Sequence, residues 1–187
     1  MNKLKIAALL GSLRIDSLNK SLLNYVTEVS KDTLDISLID INLPLFNEDI
    51  ESNSTGEVLT LKNTIKDSDG VLIITPEYNY SIPGLLKNAI DWGSRPYAEN
   101  VFFKKPIGIM GASSGAMGTI RSQSHLRQVF NFLNAFVMNK PEVLVTFSGE
   151  KFDHNKLIDP KTKDVVNEFV KSFEKWVKSI NQIKDLI

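Results

Sequence analysis

The chain has 187 residues, enough for one domain with a sizeable buried core. The 22 lysines and arginines are balanced by 22 aspartates and glutamates, so the net charge is zero. A chain without excess positive charge is not expected to bind nucleic acid or an anionic membrane. The absence of cysteine excludes disulfides, thiolate metal sites and cysteine nucleophiles. With two distant histidines, no signal pattern and no membrane-length apolar run, we expect a cytoplasmic protein without a metal site.

Apolar runs of strand length alternate with amphipathic helical stretches along the whole chain, which predicts a parallel sheet with helices on both faces. Strands are predicted at 4–10, 34–39, 70–75, 106–111 and 143–147, and helices at 19–31, 56–68, 83–92, 119–137 and 165–183. Five such units in one domain, 1–187, predict a flavodoxin-like three-layer α/β/α sandwich with strand order 2-1-3-4-5. In that order the chain reverses between strands one and three, so a ligand is expected at the carboxyl ends of these strands.

The loop after the first strand, GSLRIDSLNK (11–20), carries the strongest functional signal. Its hydroxyls, amide and arginine stand between a buried strand and the start of a helix: Ser12, Arg14, Ser17 and Asn19. Side-chain donors and free helix N–H groups at one point are typical of a phosphate site. The same residues also fit an ordinary strand-to-helix turn with an Asn or Ser N-cap, and this loop alone does not decide between the two.

Two further unusual loops follow the third and fourth strands. Residues 76–84, PEYNYSIPG, combine two prolines with two tyrosines, which suits recognition of a flat heterocycle but also fits a rigid surface turn. Residues 112–118, ASSGAMG, are small enough for backbone to approach a ligand closely, or form a flexible connection. Together, the three loops at one sheet edge favour a mononucleotide with a planar ring, and FMN is the leading candidate.

Four segments resemble the NADPH-dependent FMN reductase family, specifically its bacterial quinone, chromate and azo-dye reductase branch. They are GSLRIDSLNKSLL (11–23), TPEYNYSIPGLLKNAIDWGSRP (75–96), GASSGAMGTIRSQSHLRQVF (111–130) and MNKPE (138–142). The resemblance implies an FMN phosphate site at Ser12, Arg14, Ser17 and Asn19, and an isoalloxazine-contacting loop at Pro76, Glu77, Tyr78 and Asn79, with Ser113 and Gly115 on the other side. Thr119 departs from the family, which usually has glycine there.

The expected reaction is a ping-pong hydride transfer from NADPH or NADH to bound FMN, and then to quinones, azo dyes, chromate or nitro compounds. The cofactor carries the chemistry, so no side chain is assigned a catalytic role, and Glu77 is expected to act through its backbone rather than as a general base. The alternatives are a flavodoxin-type electron carrier, which is usually acidic, and a non-catalytic flavin-binding protein. A phosphatase with a cysteine nucleophile is excluded.

The expected partners are small-molecule electron acceptors and further copies of this chain. The resemblance implies a homodimer or homotetramer, with Arg121 and Glu142 as interface candidates. His125 lies inside a predicted helix, and we expect it to be structural rather than catalytic.

Overall fold

A computed structural model describes residues 2–53 and 55–186. Its strands are β1 (Leu4–Leu10), β2 (Leu34–Ile39), β3 (Gly70–Ile74), β4 (Pro106–Ala112), β5 (Phe136–Val137), β6 (Val143–Val145), β7 (Phe152–Asp153) and β8 (Lys156–Leu157). Its α-helices are α1 (Leu18–Ser30), α2 (Gly56–Lys66), α3 (Gly84–Ser94), α4 (Ile120–Phe132) and α5 (Pro160–Ile183), with 3₁₀ helices at Glu48–Asn53, Tyr97–Glu99 and Ser148–Glu150. None of the helices in these ranges is long and apolar enough to cross a membrane.

The main sheet is parallel and has the order β2-β1-β3-β4-β5, while β6 pairs with the second half of β4. Its register pairs Leu10 with Ile74 and Ile74 with Met110, so β1, β3 and β4 end at one edge. The predicted flavodoxin-like fold class and strand order are therefore confirmed.

Side chains of the sheet alternate between two hydrophobic cores, one on each face. Ile6 and Ala8 point into the core that α1 and α5 cover, whereas Ala7 and Leu9 point into the core beneath α2, α3 and α4. This alternation follows from the two-residue period of a strand, and it explains why the central strands are apolar throughout. The two cores fix the helices on the sheet, and α1 and α4 both begin at the edge where the central strands end.

The helix predicted at 119–137 is too long. The helix α4 ends at Phe132, and a Schellman motif follows its last residue. The backbone of Asn134 has a positive φ of 56°, and the N–H of Ala135 donates to the carbonyl of Phe130 at 3.0 Å. Asparagine tolerates this left-handed conformation, so Asn134 was an available stop signal. The chain then runs parallel to the start of β4, where Phe136–Val137 form β5.

The last strand and last helix also differ from their predicted limits. The strand predicted at 143–147 ends at Val145, and Phe147 has a positive φ of 46° that ends the extended backbone. The final helix begins at Pro160 rather than at residue 165, because Asp159 is its N-cap. The Asp159 carboxylate accepts hydrogen bonds from the backbone N–H and the hydroxyl of Thr162, at 2.8 and 2.6 Å.

Candidate active site

A cleft of about 180 Å³ opens at the carboxyl ends of β1, β3 and β4. It lies where the strand order reverses, which is the usual ligand site of an open parallel sheet. A larger pocket of about 460 Å³ lies between α3 and α4, away from this edge, so pocket size alone does not locate the site. The cleft is lined by Ser12, Arg14, Ser17, Leu18, Asn19, Pro76, Glu77, Tyr78, Ala112, Ser113, Ser114 and Ser148.

Gly11 lets the first loop leave β1 in close contact with the end of β3. Its N–H donates to the carbonyl of Ile74 at 2.8 Å, and a Cβ at Gly11 would lie 3.2 Å from Cδ of Pro76. The loop then turns over the sheet edge, where the Ser12 hydroxyl accepts a hydrogen bond from the N–H of Arg14 at 3.3 Å. This close approach brings the first and second predicted loops to the same cleft.

The N-terminus of α1 faces the cleft with a set of hydrogen-bond donors. Ser17 is the N-cap, and its hydroxyl accepts from the N–H of Lys20 at 3.4 Å. The N–H groups of Leu18 and Asn19, in the first turn, have no acceptor within the helix. Arg14 is exposed at the same cleft and forms no ion pair with any residue in the described ranges. Hydroxyls, a guanidinium and helix N–H groups form a donor set that suits a phosphate.

Asn19 joins the start of α1 to the end of β4. Its Nδ2 donates to the carbonyl of Ala112 at 2.9 Å, and its Oδ1 accepts from the N–H of Ala112 at 2.8 Å. Asn19 is 4% exposed, so both bonds are buried. The side-chain amide therefore holds the helix N-terminus on the sheet edge, and its hydrogen-bonding atoms are used within the protein.

The Glu77 carboxylate caps α4. Its Oε2 accepts from the N–H groups of Arg121 and Ser122 at 2.9 and 3.2 Å, and its Oε1 lies 3.3 Å from Nη1 of Arg121. The Glu77 side chain is only 10% exposed. These bonds satisfy N–H groups that a helix leaves unpaired, and they place a negative charge at the positive end of the helix dipole. The carboxylate therefore anchors the loop after β3 to α4, and both of its oxygen atoms already have partners within the protein.

The loop after β3 closes in a tight hairpin turn. Tyr78 and Ser81 exchange two backbone hydrogen bonds, at 3.2 and 3.0 Å, and both central residues have positive φ, 49° at Asn79 and 66° at Tyr80. The Arg121 guanidinium lies 3.8 Å from the centre of the Tyr80 ring, whereas Tyr78 lines the cleft. Of the two tyrosines, Tyr78 is thus the one that can form an aromatic wall.

The third loop is paired with the last residue of β6 and with the segment that follows this strand. The N–H of Ser113 donates to the carbonyl of Val145 at 2.9 Å, and the N–H of Ser148 donates to the carbonyl of Ser113 at 3.0 Å. The Ser113 hydroxyl accepts from the N–H of Gly115 at 3.2 Å, which curls the loop. As a result, Ser148 joins the lining of the cleft.

Thr119 lies beneath the loop rather than in the cleft. It is fully buried, and its hydroxyl accepts from Nε2 of Gln123 at 3.0 Å. A Cβ on Gly111 would lie 2.3 Å from this hydroxyl oxygen, so Thr119 occupies the space that Gly111 leaves open. The threonine therefore packs the start of α4 against β4.

The helix α4 also contacts the turn through His125, whose Nδ1 lies 2.9 Å from the Ser81 hydroxyl. His125 does not line the cleft. This contact links α4 to the hairpin turn, and the structural role expected for the histidine stays a prediction.

The family model for NADPH-dependent FMN reductase matches residues 4–150. The chain belongs to this family. It is 40% identical over 177 residues to a 2-hydroxy-1,4-benzoquinone reductase from Burkholderia sp, covering 94% of this chain and 97% of that protein. It is 39% identical over 170 residues to a quinone reductase from Escherichia coli (strain K12), covering 89% and 87%. Among solved structures it is similar to FerB, a flavoenzyme NAD(P)H:(acceptor) oxidoreductase from Paracoccus denitrificans, with a TM-score of 0.88, 36% identity and coverage of 94% and 98%.

The predicted family and enzyme class, an FMN-dependent oxidoreductase of the quinone reductase type, are confirmed by these findings. The structure brings the predicted site residues together at the cleft except Asn79, at the tip of the hairpin turn, and Gly115, which is exposed and bonds through its N–H to the Ser113 hydroxyl. Of the other lining residues, Leu18, Ala112 and Ser114 lie within loops singled out from the sequence, whereas Ser148 lies outside all three loops. Ser148 follows β6 at the same sheet edge, and its position directly after a predicted strand could have marked it as a lining residue.

Proposed function

We propose that this chain is an NAD(P)H-dependent FMN oxidoreductase that reduces quinones, built as a single domain over residues 1–187 and acting in the cytoplasm. The observation that carries the proposal is the donor set at the N-terminus of α1, which meets the hairpin turn after β3 in one cleft. A phosphate and a planar ring are the two parts of FMN that such a cleft can hold at once. The family of the chain and the names of its relatives support the same function.

One group of residues in the cleft binds the phosphate of FMN, and another contacts its ring. Ser12, Arg14, Ser17 and the backbone of Asn19 hold the phosphate through charged and neutral hydrogen bonds. Pro76, Glu77, Tyr78 and Asn79 form the turn against which the isoalloxazine ring lies, with Ser113 and Gly115 on the other side. FMN bound there would supply the redox chemistry, a hydride transfer from NADPH or NADH followed by electron transfer to the second substrate in a ping-pong cycle.

The protein side chains bind and orient rather than react. Glu77, the carboxylate in the cleft lining, accepts hydrogen bonds from Arg121 and Ser122 and is held at the end of α4. We therefore assign no side chain in the cleft as general acid, general base or nucleophile. An exposed flavin ring also accounts for azo dyes, chromate and nitro compounds as acceptors, because the reactive group belongs to the cofactor.

Assembly into a homodimer or homotetramer is part of the proposal, with Arg121 and Glu142 at the interface. Within the chain, Arg121 pairs with Glu77 at 3.3 Å, and Glu142 pairs with Lys140 at 2.7 Å. Their side chains remain 32% and 39% exposed, so each has surface left for a second copy.

The test is the absorption spectrum of the purified protein with FMN, recorded anaerobically before and after addition of NADH or NADPH. We expect the yellow colour to bleach and to return on addition of benzoquinone, with steady-state turnover. A protein that stays yellow with both nucleotides would be a flavodoxin-type carrier. Bleaching without turnover would indicate a non-catalytic flavin-binding protein, and failure to bind FMN would contradict the proposal outright.

A further inference from the structure

A third pocket, of about 500 Å³, lies at the opposite edge of the sheet from the cleft. It is bounded by α2, by the segment from Ala98 to Phe103 and by Lys105, which directly precedes β4. The seven residues of β4, at about 3.3 Å each, separate this pocket from the cleft by about 20 Å. A molecule bound there would not compete with FMN for space.

Lys62 is the most unusual residue of this pocket. It lies on α2 among buried residues and is only 7% exposed, yet its side chain lines the pocket. Within residues 2–53 and 55–186 it forms no hydrogen bond or ion pair. The stem of Lys62 is buried while its Nζ stays accessible to the pocket, so a cationic group without an anion beside it in the described residues faces this space.

Two further lysines line the same pocket. The Lys105 ammonium donates to the carbonyls of Lys66 and Ser68 at 3.2 and 2.8 Å, which leaves one of its three N–H donors for another acceptor. Lys66 is exposed at the pocket rim. Glu99 is the one acidic residue in the lining, so the pocket carries a net positive charge.

The rest of the wall includes apolar side chains. Leu59 and Phe103 are 49% and 54% exposed, and Val101 lies between them in the lining. We propose that this pocket binds a small organic anion, with its carboxylate against Lys62 and Lys105 and its apolar body against Leu59 and Phe103. Such a ligand would neutralise the unpaired ammonium and cover the exposed apolar surface at the same time.

The proposal has a pH signature at Lys105. Burial first, and then the charge of Lys184, lower the pKa of Lys105 to about 8, against the opposing charges of Asp69 and Asp67. A bound anion favours the protonated amine, so anion affinity is full below pH 8 and falls as the pH rises through this value. Lys105→Gln should remove this pH step.

The experiment titrates benzoate into ¹⁵N-labelled protein that is saturated with FMN, and follows the backbone amides by NMR. We expect saturable shifts centred on Lys62, Lys66 and Phe103, with a Kd on the order of 1–10 mM for a ligand of this size. Lys62→Met keeps the apolar stem and removes the charge, and it should weaken binding about tenfold. The matched control is Lys175→Met, on the exposed face of α5, which should leave the Kd unchanged.

Benzyl alcohol, which has the ring without the charge, should bind much more weakly than benzoate. Equal Kd values for the wild type and Lys62→Met, equal binding of both probes, or shifts confined to the FMN cleft would each overturn the proposal. If Lys62→Met does not fold, Lys105→Gln removes the other ammonium placed against the carboxylate and should weaken benzoate binding in the same titration.

Discussion

Glu77 offers the sharpest test of how the site is held together. Its carboxylate accepts two backbone N–H groups of α4 and pairs with the Arg121 guanidinium. Glu77→Gln keeps the shape and one acceptor oxygen but removes the charge, whereas Glu77→Ala removes the cap entirely. Both changes leave the backbone of the hairpin turn free of new side-chain clashes.

The expected losses follow from the burial of the group. Removing a charge from a partly buried helix N-terminus costs about 1 kcal/mol, so Glu77→Gln should lower the free energy of unfolding by that amount. Loss of the whole cap costs about 0.5–2 kcal/mol, and the lost ion pair adds little because the Arg121 side chain is 32% exposed. For Glu77→Ala we therefore expect a loss of about 2 kcal/mol.

Urea unfolding of the FMN-free protein measures these changes, and quenching of flavin fluorescence then measures FMN affinity. The matched control is Glu168→Gln, an exposed glutamate on α5, which should change neither quantity. FMN should bind more weakly to Glu77→Ala than to Glu77→Gln, because the turn is released from α4. Full stability together with lost turnover in Glu77→Gln would refute the capping role and show a catalytic carboxylate instead.

Three further changes probe the same cleft. Arg14→Ala should weaken FMN binding about tenfold or more but leave riboflavin binding unchanged, because the lost contact is to the phosphate. A fluorescence titration measures both affinities, and Lys31→Ala, at the other end of α1, is the control. Asn19→Ala should lower the free energy of unfolding of the FMN-free protein, measured with urea, by about 2–4 kcal/mol, since it leaves the N–H and carbonyl of Ala112 unpaired. A loss below about 1 kcal/mol would contradict the role of Asn19 in joining α1 to β4. Ser148→Ala should leave stability unchanged or raise it by up to about 1 kcal/mol, because its buried hydroxyl has no hydrogen-bond partner within the described residues; a clear loss of stability would show that a partner exists.

Much of the cleft lining was predictable because short-range sequence positions the residues of a strand-to-helix loop. Ser12, Arg14 and Ser17 lie within one loop, and a strand, a glycine and a helix start are enough to bring them to one point. The C-terminus of α4 was also marked locally by Asn134, and the N-terminus of α5 by Asp159, although the predicted limits of both helices were wrong. These signals depend on backbone conformation at single residues, which hydrophobic periodicity does not report.

The remaining features depend on contacts between residues far apart in the chain. Asn19 bonds to Ala112, Glu77 caps a helix that begins at Ile120, and Ser148 bonds to the loop at Ser113. No local pattern specifies these pairs, because each partner is defined by the register of the sheet and the packing of its helices.

The sequence by itself therefore determined the class of fold, the strand order and the loops that meet at one edge, because alternating apolar periods and strand-end residues are local properties. Only the tertiary structure decided which atoms of those loops remain available to a ligand. Asn19 and Glu77 have their side-chain atoms bound within the protein, whereas the guanidinium of Arg14 and the ammonium of Lys62 have no partner among the described residues. That distinction is physical: a polar group binds a ligand only with the hydrogen-bonding capacity that folding has not already used.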